Sequence, residues 1–463
     1  MTYPKFLIGD TDLANRLSDF FNASFIGQLA RTTDFVRRSS SRLTGQMFLL
    51  LNMFDADGGE HSLSDQCDYL EEHFNVILTK QSLSERYNSS SVAFMEACYT
   101  ALVSQVLNPN LTLLDASSPT DTQSALGHFN GIELLDATSF RLPDHMSSTF
   151  KGNGKLAASV KIQHRYELIQ GTTLGLKIVP GNQGDTKYLT HCETQLLPKR
   201  LYIKDLGYYL LSHFDKIDKA DAYFLSRYKV GTTCFIKDES GVFKSVTMRD
   251  LVPADGENKE IEELYIGAQK IKVRMILESV PPECVEQRTA RTLKNNLKND
   301  NKTIHEDALL LCAFNIYITN TSATVLPAQS VRLLYALRWQ IELMFKIWKS
   351  IFNIDKIGPM NIYRLQCHLY GCLMAILLSA KIQNLFKDYL WQEQDIEISE
   401  YKCAAIIKKK LIPLQRAILA GKKAILALFE AIFHKIWTKA AKSKRKLPDK
   451  SYRKTPKEIL ATC

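Results

Sequence analysis

The sequence predicts an α/β fold with a β-rich insertion, flanked by an N-terminal helical domain and a C-terminal helical region. Three observations predict it. Strand-like segments follow one another between residues 132 and 179 and then alternate with helical segments up to residue 228, the pattern of an α/β layer fold. The first 120 residues or so, and everything from Gln329 onward, carry apolar residues at helical spacing. Between these regions, from about residue 229 to 306, the texture changes to hairpins. At 463 residues and 45% hydrophobic content the chain can build two to four domains with cores of their own.

In order, Ser24 to Thr32, Thr44 to Phe54, Ser62 to Phe74 and Ser90 to Leu107 read as helices. Ser62–Phe74, the polar Asn75–Ser82 and Leu83 onward resemble two helices joined by a turn. Arg31, Arg37, Arg38, Arg42, Lys80 and Arg86 lie around them. Such a pair can read the major groove of duplex DNA, although helical hairpins also occur for structural reasons alone. The pattern changes near Ser117–Thr122. Ile132 to Phe140 alternates as a strand and ends at Arg141-Leu-Pro143. Leu156 to Leu168 and Thr172 to Val179 are two more strands, and Pro180–Gly184 is a loop. Asp185 to Leu197 is predicted as a short helix, Arg200 to Asp205 as a fourth strand, Tyr208 to His213 as a helix and Ala222 to Tyr228 as a fifth strand. Cys234–Lys244 forms a hairpin about Asp238–Gly241, and Glu263–Ile276 another about Gly267-Ala-Gln. Arg288 to His305 is highly polar and exposed. Leu311–Asn320 resumes a buried strand, and Gln329 opens a helix.

Composition narrows the partners. From Tyr401 to Cys463, 17 Lys and Arg stand against 3 Asp and Glu, a net +14, so the other 400 residues carry −4 of the overall +10. A basic end on an acidic body favours a polyanion, most simply nucleic acid; a solvated tail is the alternative for Lys442–Lys446 and beyond. Ala404 to Ala440, basic but strongly apolar, is expected to pack as helix. No run of 18 apolar residues occurs, Leu369–Ala380 being too short to span a bilayer, and Met1-Thr-Tyr-Pro-Lys5 does not open a signal peptide. The ten cysteines are scattered without a Cys-x-x-Cys pair, which points to reduced thiols in a cytoplasmic protein with no membrane partner.

Chemistry concentrates in Leu333–Lys349, a stretch without Gly or Pro that is predicted as one buried helix. At about 100° per residue from Tyr335, Arg338 falls near 300°, Glu342 near 340° and Lys349 near 320°, so these four share one arc of roughly 60°. Trp339, Leu343 and Ile347 cover much of the remaining surface. A buried helix keeps such a strip only when the charges are paired or face a cleft. Arg338 and Glu342 are also an i,i+4 ion pair, which is the structural explanation.

Two aspartates stand at matching points in the α/β layer. Asp136 interrupts one strand and Asp205 ends another, and Asp is disfavoured in strands. Asp136 could cap a turn and Asp205 a helix. If they converge with Glu342, three carboxylates repel one another unless a divalent cation neutralises them. Oxygen ligands favour Mg²⁺ or Mn²⁺, and two such ions would suit phosphodiester chemistry. Arg338 and Lys349 could then hold adjacent phosphates.

Tyr335-x2-Arg338-x3-Glu342-x6-Lys349 resembles the Y-R-E-K signature of the bacterial insertion-sequence DDE transposases of the IS-four family, the Tn-five-like group. Leu135-Asp136-Ala-Thr-Ser139, Ile203-Lys-Asp205-Leu-Gly-Tyr208, Tyr223-Phe-Leu-Ser-Arg227 and Ile318-Thr-Asn320 fit in the same order, and the likeness covers about residues 20 to 440. It implies an RNase H-like catalytic core and cut-and-paste transposition. Asp136, Asp205 and Glu342 would be the catalytic metal ligands, and Tyr335, Arg338, Lys349 and Arg227 would bind DNA. The implied partners are double-stranded DNA, as transposon inverted-repeat ends and target, and a second copy of the chain in a homodimer on the bacterial nucleoid. The implied division is an N-terminal helical DNA-binding domain over 1–120, the first part of the core over 121–229, the insertion over 230–308, the rest of the core with the signature helix over 309–375, and a basic helical region over 376–463. The family's best-known member stacks an insertion Trp on a flipped base. None of the four Trp here lies in the insertion, where Phe235, Phe243 and Tyr265 are the available aromatics. A non-catalytic DNA-binding relic or repressor at element ends is the alternative reading.

Overall fold

The computed structural model describes residues 11–38, 41–54, 61–107, 128–192, 195–253, 256–297, 306–394 and 396–442. Ser117–Thr122, the end of the polar stretch before His305 and the basic tail beyond Lys442 lie outside them. Helices open the chain: α1 (Thr11–Phe20), α2 (Ala23–Thr32), α3 (Gly45–Phe54), α4 (Leu63–Phe74), α5 (Lys80–Arg86) and α6 (Ser89–Ala101), the last running into a π-helical turn at Leu102–Leu107. Ser62 caps α4 in a reciprocal box with Asp65, and Asn75 ends it in the left-handed conformation at φ 53°, which sets the turn into α5. Arg86 does not join the surface arginines. Its guanidinium lies 4.7 Å from the Phe35 ring centre and donates to the Phe35 carbonyl at 3.3 Å.

The middle of the chain builds one sheet. Its elements are β1 (Ile132–Arg141), β2 (Ser159–Glu167), β3 (Thr172–Pro180), α7 (Asp185–Cys192), β4 (Leu201–Lys204), α8 (Leu211–Lys219), β5 (Tyr223–Arg227), β6 (Cys234–Lys237), β7 (Phe243–Val246), α9 (Met248–Leu251), β8 (Lys259–Ile266), β9 (Ile271–Ser279), α10 (Pro282–Leu297), α11 (Glu306–Leu310) and β10 (Phe314–Thr319). The ten strands run in the order β3-β2-β1-β4-β5-β10-β9-β8-β6-β7. β1, β4 and β5 are parallel neighbours and the other pairings are antiparallel. The hairpins of residues 230–279 therefore extend this sheet, with β10 as the bridge. The polar stretch from Arg288 begins inside helix α10.

Alternation along the strands gives the sheet two apolar faces. Leu134, Ile162, Ile203 and Leu225 face the main core, with Ile341 and Trp348. Tyr202, Phe224, Val273 and Ile318 face a second core with Phe214 and Ile217 of α8. After the sheet come α12 (Ala328–Ala336), α13 (Trp339–Ser350), α14 (Ile362–Gln394), α15 (Glu400–Lys408), α16 (Leu411–Ala420) and α17 (Lys422–Lys439). α14 is long and apolar enough to cross a membrane, but 78% of its apolar window is buried inside the protein. It is a core helix packed on α3, α6 and α15. No disulfide joins the described cysteines.

The expected continuous helix over 333–349 is broken. α12 ends at Ala336 and α13 starts at Trp339. Leu337, Arg338, Gln340 and Ile341 each donate to the carbonyl three residues back, at 2.9–3.2 Å, a 3₁₀-like tightening. The break upsets the wheel after Ala336. Trp339, expected among the covering apolar residues, is 62% exposed.

Candidate active site

Asp136 and Asp205 arrive on neighbouring parallel strands. The β1–β4 ladder runs from Ile132↔Leu201 to Leu135↔Lys204, and each aspartate is the next residue on its strand. Leu134 and Ile203 face the main core, so the alternation turns both carboxylates to the same face. This is the carboxyl end of parallel strands, where side chains converge on ligands in open α/β sheets. Asp205 precedes a 3₁₀ turn at Leu206–Tyr208, yet its side chain makes no capping bond, so the cap explanation fails. Asp136 lies within β1 rather than at a turn, and its Oδ1 accepts from the Ala137 N–H at 2.8 Å.

Glu342 sits in the first turn of α13, where the helix dipole favours an acid. Arg338, in the break, ties it to the sheet. Arg338 Nη1 donates to Asp136 Oδ2 at 3.2 Å and Nη2 to Glu342 Oε1 at 2.5 Å. The i,i+4 pair thus exists and is one half of a larger bridge. Burial pushes the Asp136 carboxyl up to about 6, and Asp205 and Glu342 push the same way, while the Ala137 N–H and Arg338 oppose them. Burial works against the Arg338 charge, but Glu342 and Asp205 hold it above the usual arginine range. The three carboxylates and the guanidinium therefore act on one another electrostatically.

This donor set fits a hard divalent cation: carboxylate oxygens only, with one acid already raised chiefly by burial. Among the described residues, however, no three Asp, Glu, His or Cys side chains are drawn together closely enough to enclose an ion. Asp136 and Glu342 keep the spacing of the guanidinium between them.

The other expected residues are spread along the same face. Tyr335, at the end of α12, packs its ring 5.3 Å from that of Tyr317 on β10. Burial pushes its hydroxyl up to about 12, with Arg338, Asp205 and Arg227 in electrostatic reach. Arg227 pairs across the sheet with Tyr317, and it follows Ser226, the partner of Lys204, so it lies beside Asp205. Lys349 Nζ donates to the Ser139 carbonyl at 2.9 Å. Ser139 is three residues beyond Asp136 on β1, about 10 Å at strand rise. Arg338 and Glu342 thus meet at Asp136, while Lys349, seven residues further along α13 than Glu342, reaches β1 at Ser139.

Sequence reasoning missed Asp185. A side chain built on Gly207 would meet Asp185 Oδ2 at 3.3 Å and Asp205 Oδ2 at 3.8 Å, so a fourth carboxylate approaches the second aspartate. Lys161 Nζ and Gln163 Nε2 donate to Asp185 Oδ1 at 2.8 and 3.1 Å, and Tyr208 donates to Gln163. The available signal was an acid directly after the Pro180–Gly184 loop, which the sequence also offers as an ordinary helix start.

Acidic residues at the ends of parallel strands, a helix-borne glutamate and a half-buried arginine make up the candidate site. Residues 128–378 match the family of the transposase DDE domain. Over 451 residues the chain is 30% identical to the transposase for insertion sequence element IS231E of Bacillus thuringiensis subsp. finitimus, covering 93% of this chain and 92% of that protein. It is 31% identical to the transposase for IS1151 of Clostridium perfringens, covering 97% and 95%. A piggyBac transposase synaptic complex with hairpin DNA matches with a TM-score of 0.42 and 10% identity, over 98% of this chain and 89% of that one. The chain belongs to the DDE transposase family, and it is a metal-dependent DNA-cutting and DNA-joining enzyme.

Proposed function

We propose that this chain is the transposase of a bacterial insertion sequence, cleaving DNA at the element's inverted-repeat ends and transferring the freed strands into target DNA. The observation that carries the reading is the convergence of Asp136, Asp205 and Glu342 around Arg338. These three acids are the metal ligands, for two Mg²⁺ ions or Mn²⁺ in their place. Divalent cations bound there supply activation of a water or 3′-hydroxyl and stabilisation of the leaving oxygen. Arg338 has two alternative duties. In the free protein it pairs with Asp136 and Glu342; with cations held by those acids, its charge would be available to a phosphate. Arg227 and Tyr335 line the same approach, and Lys349 grips the strand further along β1.

The half-sheet β3-β2-β1-β4-β5 with α12 and α13 is the RNase H-like core, split into residues 121–229 and 309–375. Residues 230–308 are the insertion, 1–120 bind DNA through the α4–α5 pair and its surface arginines, and 376–463 are the basic helical region. Two copies hold two ends on the nucleoid. The test uses a duplex carrying the element's own terminus, full-length protein and Mg²⁺. Asp136→Ala, Asp205→Ala and Glu342→Ala each lose cleavage while duplex binding survives. Undiminished cutting by any of the three removes that residue from the site, and tight end binding by the wild type without metal-dependent nicking restores the repressor reading.

A further inference from the structure

The face that carries the carboxylates does not end at the catalytic half of the sheet. The register traces it outward. Asp205 lies beside Arg227; Arg227 pairs with Tyr317, and Tyr317 with Ile276. Lys272, four residues before Ile276 and on the same face, pairs with Tyr265, and Tyr265 with Phe235. Lys237, two residues on, pairs with Phe243. Cross-strand partners share a face, so the acids and the Phe235–Tyr265–Phe243 ring cluster look out on one side of one sheet.

At that far edge the rings hold cations. Phe243 and Tyr265 meet edge to face, 4.9 Å apart. Lys237 lies 4.8 Å from the Tyr265 ring centre and 5.3 Å from that of Phe243, and Lys270 sits on the Phe235 ring and 5.6 Å from Phe243. Two neighbouring lysines are different. Lys244 pairs with Asp238 at 3.2 Å and Lys272 with Glu263 at 2.6 Å. Among the described residues neither Lys237 nor Lys270 has a carboxylate within 4.0 Å. A ring face attracts an ammonium without cancelling its charge, so Lys270 is positioned but not neutralised, and Lys237 is held by its rings with Glu263 in electrostatic reach but not in contact. Phe243 itself is 38% exposed.

We propose that Lys237 and Lys270 form a phosphate-binding patch for the DNA on which this transposase acts, away from the cut. This rests on the transposase reading and adds to it. Five strand spacings separate β4 from β6, about 24 Å. That is too far for these rings to stack on a base at the scissile bond, and their faces are already occupied by ammonium groups. The insertion thereby contributes backbone grip rather than base stacking, and the patch serves any sequence.

The test reads the salt dependence of binding to a labelled 40-base-pair duplex of arbitrary sequence, by anisotropy, with full-length protein. Each lost phosphate contact lowers the slope of log K against log salt by about 0.9. Lys237→Ala/Lys270→Ala lowers it by about 1.8, whereas Lys237→Arg/Lys270→Arg retains it. Phe243→Leu weakens binding at low salt, because Lys237 and Lys270 each lose one ring. An unchanged slope in the alanine variant, with wild-type binding intact and a native circular-dichroism spectrum, overturns the patch and leaves the transposase reading standing. Failure of the wild type to bind any duplex overturns both.

Discussion

Arg338 decides the electrostatics of the site, because one guanidinium bridges two of three mutually repelling acids. Its help is incomplete, since Asp136 is still pushed up to about 6 from 3.8. A carboxyl whose folded pKa exceeds its unfolded value costs stability when ionised. The native state takes up its proton first as pH falls, so the cost applies in full above about 6 and disappears below about 3.8. That rise in pKa corresponds to roughly 3 kcal/mol with the bond to Arg338 already counted, and an amide, which is not a full copy of the protonated acid, recovers a part of it. Asp136→Asn is therefore expected to stabilise the metal-free protein by about 1–2 kcal/mol at pH 7.5, with the gain fading by pH 4. Thermal unfolding in chelator at the two pH values checks it; a less stable variant at pH 7.5 would mean that the Arg338 bond outweighs the cost of burying the charge. The residue chemistry was legible, since acids inside apolar runs need a reason. The guanidinium bridge to Asp136 was not, because Asp136 and Arg338 are 202 residues apart and only the fold joins them.

Elements show where sequence patterns stop informing. Nothing in Ala336-Leu-Arg-Trp339 forbids helix, and the 3₁₀ tightening there arises from tertiary demands: Leu337 goes into the core while Arg338 reaches β1. The same limit applies to α14, whose apolar run shows burial but not what covers it. Gly371 marks the crossing. A Cβ at Gly371 would stand 2.1 Å from the Asn52 carbonyl oxygen and 2.5 Å from its carbon, so α3 and α14 touch backbone to backbone. Two effects of Gly371→Ala oppose each other. Helix propensity favours alanine by about 1 kcal/mol. Overpacking costs about 1–3 kcal/mol, and here the obstacle is main chain that cannot rotate away. The clash should win, with a net loss of about 1–2 kcal/mol in urea unfolding. A more stable variant would show that the helices separate at little cost.

Across the whole molecule, strand order was the least legible property. The sequence predicts hairpins in residues 230–279, but not that β10 returns between β5 and β9 so that the hairpins continue the sheet that carries Asp136. Pairing between distant segments leaves no periodic trace. Charge asymmetry, in contrast, was readable and has a structural counterpart. Lys409, just past α15, and Lys410, just before α16, lie in electrostatic reach of Lys435 on α17, as does Lys439 on the same helix. Lys410 above all, then Lys439 and Lys409, depress the Lys435 pKa, although the side chain is open to water. Like charges crowded on a surface oppose the compact state unless a polyanion neutralises them. Lys435→Gln should therefore raise the melting temperature of the free protein in about 20 mM salt, and the gain should vanish in about 0.5 M salt, where the screening length falls to about 4 Å. In low salt, duplex DNA should raise the wild type's melting temperature by more than the variant's, because the wild type has more repulsion to relieve. A gain that survives high salt would locate the effect in packing, and equal stabilisation by DNA would separate these lysines from the nucleic-acid surface.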